Sequence, residues 1–207
     1  MQAIDGIFYV VILIMSVVIH EFAHGYSAYL LGDNTARLSG RLTLNPLKHL
    51  DIFGSIVLPL LLILSNAGFV IGWARPVPYN PNNLRKGRWG NIIVSGAGIL
   101  ANILIAIIFG LLIRLAPNLG IIPGDPFFEI TKVIVVTNLV LALFNLIPIP
   151  PLDGSKVLFS LLPAQTRHIE NFMEKWGIFL LLLFIFFIWD KLSPLIYIAF
   201  SLITGLH

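Results

Sequence analysis

The chain has 207 residues, of which 57% are hydrophobic and 11% charged, and its mean hydropathy is +0.93. This composition excludes an ordinary soluble domain and indicates an integral membrane protein. The absence of cysteine excludes disulfides and cysteine-based metal or nucleophile chemistry, and a net charge of +3 without a basic block does not indicate nucleic acid binding. We expect a single membrane-embedded domain over residues 1–207, with a core at about 6–163 and a C-terminal hydrophobic hairpin at about 176–206.

The first apolar segment, Gly6–Leu31, is long enough to cross a bilayer and carries one charged residue, Glu21. It lacks a basic n-region and a small-residue cleavage site, so we expect a retained span. His20 and His24 are four residues apart and share one helical face. Two imidazoles in this arrangement can hold one Zn²⁺, and Glu21 can take a proton from a water that the metal activates. An ionisable group at mid-bilayer costs about 2.5–3.5 kcal/mol, which disfavours a chance occurrence of this pattern.

The segment after the first span alternates polar and apolar residues from Arg37 to Leu44. A period of two predicts a β-strand, which Asn45 and Pro46 would end. A strand beside a membrane active site could offer its edge to an extended peptide. An ordinary amphipathic loop would give the same pattern, and the sequence does not separate the two interpretations.

Four more apolar segments follow, and two of them are irregular. Ile52–Gly72 contains Pro59 and a Ser-Asn-Ala-Gly breaker, so it either spans the membrane or is re-entrant. Trp176–Leu206 is interrupted at residues 190–194 and predicts a span with a shorter return segment. The other two segments are Gly90–Leu115 and Ile130–Ile149. We therefore expect an all-α polytopic bundle of about four to six transmembrane helices, with a short membrane-associated β element after the first span.

A catalytic zinc usually has three protein ligands and an open position, so the two histidines need a third partner. Asp190 lies in the interrupted last segment, away from other site features. Asp153 is the better candidate, because it ends a long apolar run whose prolines break the helix and free backbone groups near the carboxylate. Asp153 could instead cap a helix that starts near Ser155. The remaining histidines lie in polar loops or at the terminus: His49, His168 and His207.

Three short motifs stand out along the chain: His20–His24 reads H-E-x-x-H, Gly98–Asn102 reads G-x-x-x-N, and Asn145–Gly154 reads N-x-x-P-x-P-x-x-D-G. Together they resemble the site-2 protease family of intramembrane zinc metalloproteases, and the likeness covers roughly Gly6–Pro163. In the second motif the family usually has G-P-x-x-N, and Ile99 stands in place of the proline. The linkers Gly40–Pro46 and Gly72–Pro78 resemble the small bacterial and archaeal members without a PDZ domain.

The resemblance implies a zinc metalloendopeptidase, with one zinc per chain, that hydrolyses peptide bonds within or near transmembrane segments of membrane proteins. Members of the family often release a regulator from the membrane in this way. The implied partners are single-span membrane proteins and the lipid bilayer; a homo-oligomer stays open, and nucleic acid is not expected. The implied site residues are the zinc ligands His20, His24 and Asp153, the base Glu21, and Asn145 and Asn102 beside the scissile segment or the oxyanion.

His20 and His24 lie in the later half of the first span, and Asp153 lies at the end of the fourth apolar segment. Both groups must reach one ion, so these two spans run parallel, and an odd number of membrane crossings separates them. Gly90–Leu115 is one crossing, and we therefore expect Ile52–Gly72 to be re-entrant. Ten of the 13 basic residues then lie on one face, which the positive-inside rule makes the cytoplasmic face of the cell membrane. The metal site would lie nearer that face. Two other functions stay open: a metal-ion or proton transporter using the same His/Glu/Asp site, and a catalytically silent binder of membrane helices.

Overall fold

The computed structural model describes residues 2–58, 61, 64–65, 74–120 and 124–206, and this part of the chain is helical. The helices are α1 (Gln2–Leu30), α2 (Thr35–Leu38), α3 (Arg88–Leu115), α4 (Pro126–Leu146), α5 (Asp153–Leu161), α6 (Arg167–Phe187), α7 (Trp189–Leu192) and α8 (Pro194–Thr204). Shorter elements are a π-helical turn at Ile52–Val57 and 3₁₀ turns at Pro46–Lys48, Pro81–Asn83, Ala116–Leu119 and Ala164–Thr166.

Three helical stretches of the described chain are long and apolar enough to cross a membrane: Phe8–Leu30, Arg88–Asn118 and Pro126–Leu146. A helix satisfies its own backbone groups, which hydrocarbon cannot do. A fourth candidate consists of α6 followed by Trp189–Thr204, two parts bent by 59° at a short break. The protein is therefore a helical, multi-pass membrane protein with three to four candidate spans among its described residues.

Helix α3 occupies the middle of the bundle and contacts α1, α4, α5 and α8. Small residues permit this central position, because they let helix backbones approach closely. At Gly110, for example, an added β-carbon would collide with Ile203 of α8. A buried apolar cluster, which includes Ala106 and Ile113 of α3 and Val135 of α4, fills the space between these helices.

The expected β element is wrong for the described residues, because Thr35–Leu38 is a helical turn and residues 39–45 contain no strand. The Asp33 carboxylate accepts hydrogen bonds from the backbone N–H and the hydroxyl of Thr35, which starts the helical turn. Gly40 then adopts φ +67°, and the Arg41 N–H donates back to the Ala36 carbonyl. The N–H groups of Thr35 and Arg41 and the carbonyl of Ala36 are therefore engaged locally and are not available for pairing with a neighbouring strand.

The predicted re-entrant segment, Ile52–Gly72, lies largely outside the described residues. Its two flanks are described, and they meet. The backbone N–H of Arg75 donates to the His49 carbonyl at 2.8 Å, and that of Arg85 donates to the Leu31 carbonyl at 2.9 Å. The chain thus enters and leaves this segment at the end of the bundle where α1 finishes.

Two glycines let the proline-rich turn between α4 and α5 fold tightly against its neighbours. An added β-carbon at Gly154 would collide with the carbonyl oxygens of Leu146 and Ile147. On α6, an added β-carbon at Gly177 would lie 2.5 Å from the Pro150 oxygen. Close packing on both sides fixes the start of α5, where Asp153 is the first helical residue.

Candidate metal centre

Three ligand-type side chains converge between α1 and the start of α5. His20 and His24 project from one face of α1, and their Nε2 atoms are 3.0 Å apart. The Oδ2 atom of Asp153 lies 3.0 Å from His20 Nε2 and 2.9 Å from His24 Nε2. All three residues are buried, with 5–6% of their surface exposed. They form a group of three donor atoms that could hold one metal ion.

The other ring nitrogen of each histidine faces an oxygen acceptor. The Nδ1 atom of His24 lies 2.7 Å from the backbone carbonyl oxygen of Val94, which can only accept a hydrogen bond. The Nδ1 atom of His20 lies 2.5 Å from Oδ1 of Asn102, a residue with no exposed surface. In its neutral form each imidazole therefore carries its proton on Nδ1, which for His20 follows from the orientation of the Asn102 amide.

A chain of buried amides fixes that orientation. The Asn138 side-chain nitrogen donates to the Ile134 carbonyl at 2.8 Å and to the Ser16 hydroxyl at 3.0 Å. Its oxygen must then face the Asn102 nitrogen, which donates to it at 2.8 Å. The Asn102 oxygen is left to accept from His20. One backbone carbonyl on α4 thus determines, through two asparagines, which nitrogen of His20 carries a lone pair.

When both imidazoles are neutral, three lone pairs therefore meet without a proton between them. Two neutral, Nδ1-protonated imidazoles cannot hydrogen-bond through their Nε2 atoms, nor can either Nε2 donate to the Asp153 carboxylate. A metal cation would satisfy all three lone pairs. In a tetrahedral zinc site with ligands about 2.1 Å from the ion, neighbouring donor atoms are about 3.4 Å apart. The observed separations of 2.9–3.0 Å lie near that value.

Gly98 of α3 lies directly against the two histidines. An added β-carbon there would lie 2.5 Å from His24 Nε2 and 2.6 Å from His20 Nε2. It would thus collide with both of the nitrogens that face Asp153. Only a residue without a side chain lets α3 approach the histidines this closely.

Glu21 lies on α1 between the two histidines in sequence, and it is half-buried. Its Oε2 atom accepts a hydrogen bond at 2.8 Å from the backbone N–H of Val77, a residue 56 positions later. The loop that starts at residue 74 therefore holds this carboxylate by its Oε2 atom, and this bond leaves the Oε1 atom free of Val77.

On the far side of Asp153, Lys156 donates to its Oδ1 atom at 3.0 Å. Burial lowers the pKa of Lys156, but the adjacent Asp153 carboxylate raises it more, with a smaller contribution from Glu21, so the pKa lies above its usual value. Lys156 also lines a cavity of about 450 Å³. Its other polar lining residues are Asn91, Ser155, Ser160, Glu170 and Glu174. The cavity therefore lies beside Lys156, and Asp153 is not among its lining residues.

The structure places the other sequence-predicted residues differently. Asn102 lies behind His20, with both ends of its amide engaged. Asn145 is half-buried, and its amide nitrogen donates to the Leu141 carbonyl one turn earlier on α4. Sequence reasoning missed Ser16 and Asn138, although a polar residue within an apolar span is itself a signal of a function or an interhelical bond.

Comparison with known proteins agrees with this centre. The family model described as Peptidase family M50 matches residues 122–188. YwhC of Bacillus subtilis, which is named as a candidate zinc metalloprotease, is 43% identical over 187 residues, or 85% of this chain and 79% of YwhC. This chain belongs to peptidase family M50. Rip2 of Mycolicibacterium smegmatis, named in the same way, is 34% identical over 177 residues, which cover 83% of this chain and 64% of Rip2. No solved structure gives a significant match.

Membership in this family confirms the resemblance to site-2 proteases. The protein is an intramembrane zinc metalloprotease that acts on membrane proteins within the bilayer. The three-residue group on α1 and α5 is a site in which the described residues fit a zinc ion. The transporter alternative gains no support from either the geometry or the relatives.

Proposed function

We propose that His20, His24 and Asp153 hold the catalytic zinc of this protease and that Glu21 is its general base. The observation that carries the proposal is the convergence of two Nε2 lone pairs and a carboxylate oxygen within 3.0 Å. The hydrogen bonds to both Nδ1 atoms support it, because a metal-binding histidine is usually held by such a bond on its other nitrogen.

Zinc, when bound, polarises the scissile carbonyl and lowers the pKa of a water, so that the water can lose a proton and attack near neutral pH. Glu21 takes the proton of that water and delivers it to the leaving amine. The Val77 bond to Oε2 leaves Oε1 available for this transfer. Asn145 binds the scissile segment or stabilises the oxyanion. We assign Asn102 to the orientation of His20, because its buried amide contacts that ring.

The substrates are single-span membrane proteins, and cleavage releases a part of each from the membrane. A transmembrane helix hides its amide groups in hydrogen bonds to residues four positions earlier, so the scissile segment must unwind before attack. Residues that weaken a helix near the cut site therefore favour cleavage. All residues of the proposed site come from one chain, so the site does not need a second copy.

The active site faces the cytoplasm, in the cell membrane. The bond between Arg75 and His49 supports a re-entrant Ile52–Gly72, since the flanks of this segment lie together. Basic loops then share the side at which α1 ends, in agreement with the positive-inside rule. The packing of α8 residues such as Phe200 against the buried cluster that includes Ala106 of α3 supports one domain that includes the C-terminal segment.

Co-expression with candidate single-span proteins tests the catalytic assignment. Glu21→Gln removes the base but no zinc ligand, so we expect wild-type zinc content and almost complete loss of cleavage on a gel. Cleavage at the wild-type rate would exclude Glu21 as the base.

Metal analysis tests the ligand assignment separately. Asp153→Ala leaves two imidazoles, which hold the ion weakly, so both zinc content and cleavage should fall. Asp190→Ala is the matched control, because Asp190 is an exposed carboxylate of the C-terminal segment. Full zinc occupancy in Asp153→Ala would reduce Asp153 to a helix-terminal residue.

A further inference from the structure

Asp33 joins two loops that are 47 residues apart in sequence. It follows α1, and none of its surface is exposed. On the α1 side, its Oδ1 atom accepts from the Thr35 hydroxyl at 2.6 Å. On the other side, Oδ1 accepts from the Asn83 amide at 2.9 Å, and Oδ2 accepts from the Asn80 backbone N–H at 2.7 Å. One buried carboxylate therefore fixes the loop that contains residues 74–84 to the end of α1.

The same loop holds Glu21. Val77 lies three residues before Asn80, and its N–H donates to Glu21 Oε2 at 2.8 Å. The Val77 side chain is 5% exposed and fills the space over Gly25, where an added β-carbon would lie 2.7 Å from Val77 Cγ1. The bond to Glu21 thus depends on a backbone amide whose position is fixed by packing against α1 and by the hydrogen bonds of Asp33.

Glu21 needs such support, because competing charges lie nearby. Its carboxylate interacts electrostatically with Lys156 and with Arg41. Both cations attract the Glu21 carboxylate, and this attraction pulls a glutamate side chain with rotational freedom away from a fixed position. A fixed amide donor on one oxygen limits that freedom and keeps the second oxygen available.

We propose that Asp33 is a positioning residue for the proteolytic reaction, which it supports by holding the Val77 N–H against Glu21. The inference rests on the proposed role of Glu21 as the base. Asp33 touches neither the ligand group nor substrate, so it acts on turnover through the loop, while zinc binding and substrate affinity remain as in the wild type.

A double-mutant cycle on the full-length protein, with a cleavable single-span substrate in detergent or liposomes, tests the proposal. Val77→Pro removes the N–H that donates to Glu21, at a position already flanked by two prolines. Asp33→Asn replaces the carboxylate oxygen that accepts from the Asn80 N–H by an amide NH₂ group, which cannot accept that bond. We expect each variant to lower kcat about 10–100-fold, with KM and zinc content within about twofold of wild type. The double variant should have the kcat of Val77→Pro alone, because both changes remove one interaction.

Two controls belong to this experiment. Asn82→Ala changes an exposed side chain in the same loop and should retain wild-type kcat. If Val77→Pro does not fold, Asn83→Ala replaces it in the cycle, because it removes another of the Asp33 bonds to the loop. The losses from Asp33→Asn and Asn83→Ala should then also be less than multiplicative.

Wild-type kcat in Asp33→Asn, multiplicative losses in the double variant, or a loss of zinc that explains the loss of kcat would each overturn the proposal. Glu21→Gln separates this result from the proposed function. If Glu21→Gln is inactive while the Asp33 and Val77 variants are fully active, only the positioning role fails. If Glu21→Gln is fully active, the assignment of the base fails.

Discussion

Gly98 faces His20 so closely that a β-carbon on the glycine would lie 2.6 Å from the histidine Nε2 atom. The contact joins α3 to α1 at the point where the three ligand-type atoms meet. In the Gly98–Asn102 motif, Gly98 allows α3 to approach the Nε2 side of His20. Asn102, one turn later, accepts the hydrogen bond of the His20 Nδ1 atom on the other side of the ring. The two polar or small positions of the motif therefore act on opposite sides of one histidine.

Gly98→Ala should lose both zinc and proteolysis, because the added methyl group would collide with the Nε2 atoms of both histidines. Metal analysis of the purified protein measures the first effect, and gel-based cleavage measures the second. Gly96→Ala is the matched control on the same helix, because beyond the nearby backbone of α3 no atom lies within 4 Å of a β-carbon added there. Normal zinc content in Gly98→Ala would show that the ion binds elsewhere.

Asn102→Leu should weaken zinc binding about 10–100-fold, because the His20 Nδ1–H loses its acceptor and the ring loses its orientation. Asn138→Leu should have a smaller effect in the same direction, since it removes only the group that orients the Asn102 amide. Competition with a chelator of known affinity gives both values. Asn118→Leu, in an exposed loop, is the control. Equal zinc affinity in Asn102→Leu and wild type would contradict the orienting role.

The sequence was most informative about the metal centre, because an ionisable residue within an apolar segment has few explanations other than function. Ionisable residues within apolar segments predicted that Asp153 would meet the two histidines, and its carboxylate lies against both. The partners of Asn102 could not be predicted, because they depend on how α1, α3 and α4 are rotated about their axes. The β element failed because an eight-residue alternation contains no information about the Asp33 carboxylate, whose bonds to Thr35 favour a helical turn.

Asp33 should also make stability depend on pH. Burial raises the pKa of this carboxyl group, but the hydrogen bonds from Thr35, Asn83 and Asn80 lower it more, so the pKa lies below its usual value. The stabilisation is therefore complete above the pKa of an unfolded aspartate, about 3.9, and is lost as the pH falls through the folded-state pKa. At pH 7, Asp33→Asn should be less stable than wild type by about 1–3 kcal/mol.

Thermal unfolding in detergent at pH 7 and at pH 3 measures this dependence. The difference between wild type and Asp33→Asn should be smaller at pH 3, because below about pH 3.9 the unfolded state takes up a proton that the folded carboxylate resists. Thr35→Val, which removes one donor and retains the carboxylate, should lie between the two at pH 7. A difference of equal size at both pH values would mean that the ionised carboxylate is not what stabilises the loop.

Cysteine labelling can test the membrane topology, since the chain contains no cysteine of its own. Single cysteines at Lys48, Lys86 and Asn118 lie at exposed positions. With the active site toward the cytoplasm, a membrane-impermeant thiol reagent should label Asn118→Cys in intact cells. Lys48→Cys and Lys86→Cys should stay protected until the cells are opened.

The comparison of Lys48→Cys with Lys86→Cys decides whether the Ile52–Gly72 segment crosses the membrane. Lys48 precedes the Ile52–Gly72 segment and Lys86 follows it, and the flanking bond from Arg75 to His49 requires both ends of that segment to lie together. Protection of both cysteines from outside therefore fits a re-entrant segment, while Asn118, beyond α3, reports the opposite face. If Lys48→Cys and Lys86→Cys are labelled from opposite sides, the segment crosses the membrane. The number of crossings between the histidines and Asp153 would then be even, and Asp153 could not be the third ligand in the proposed topology.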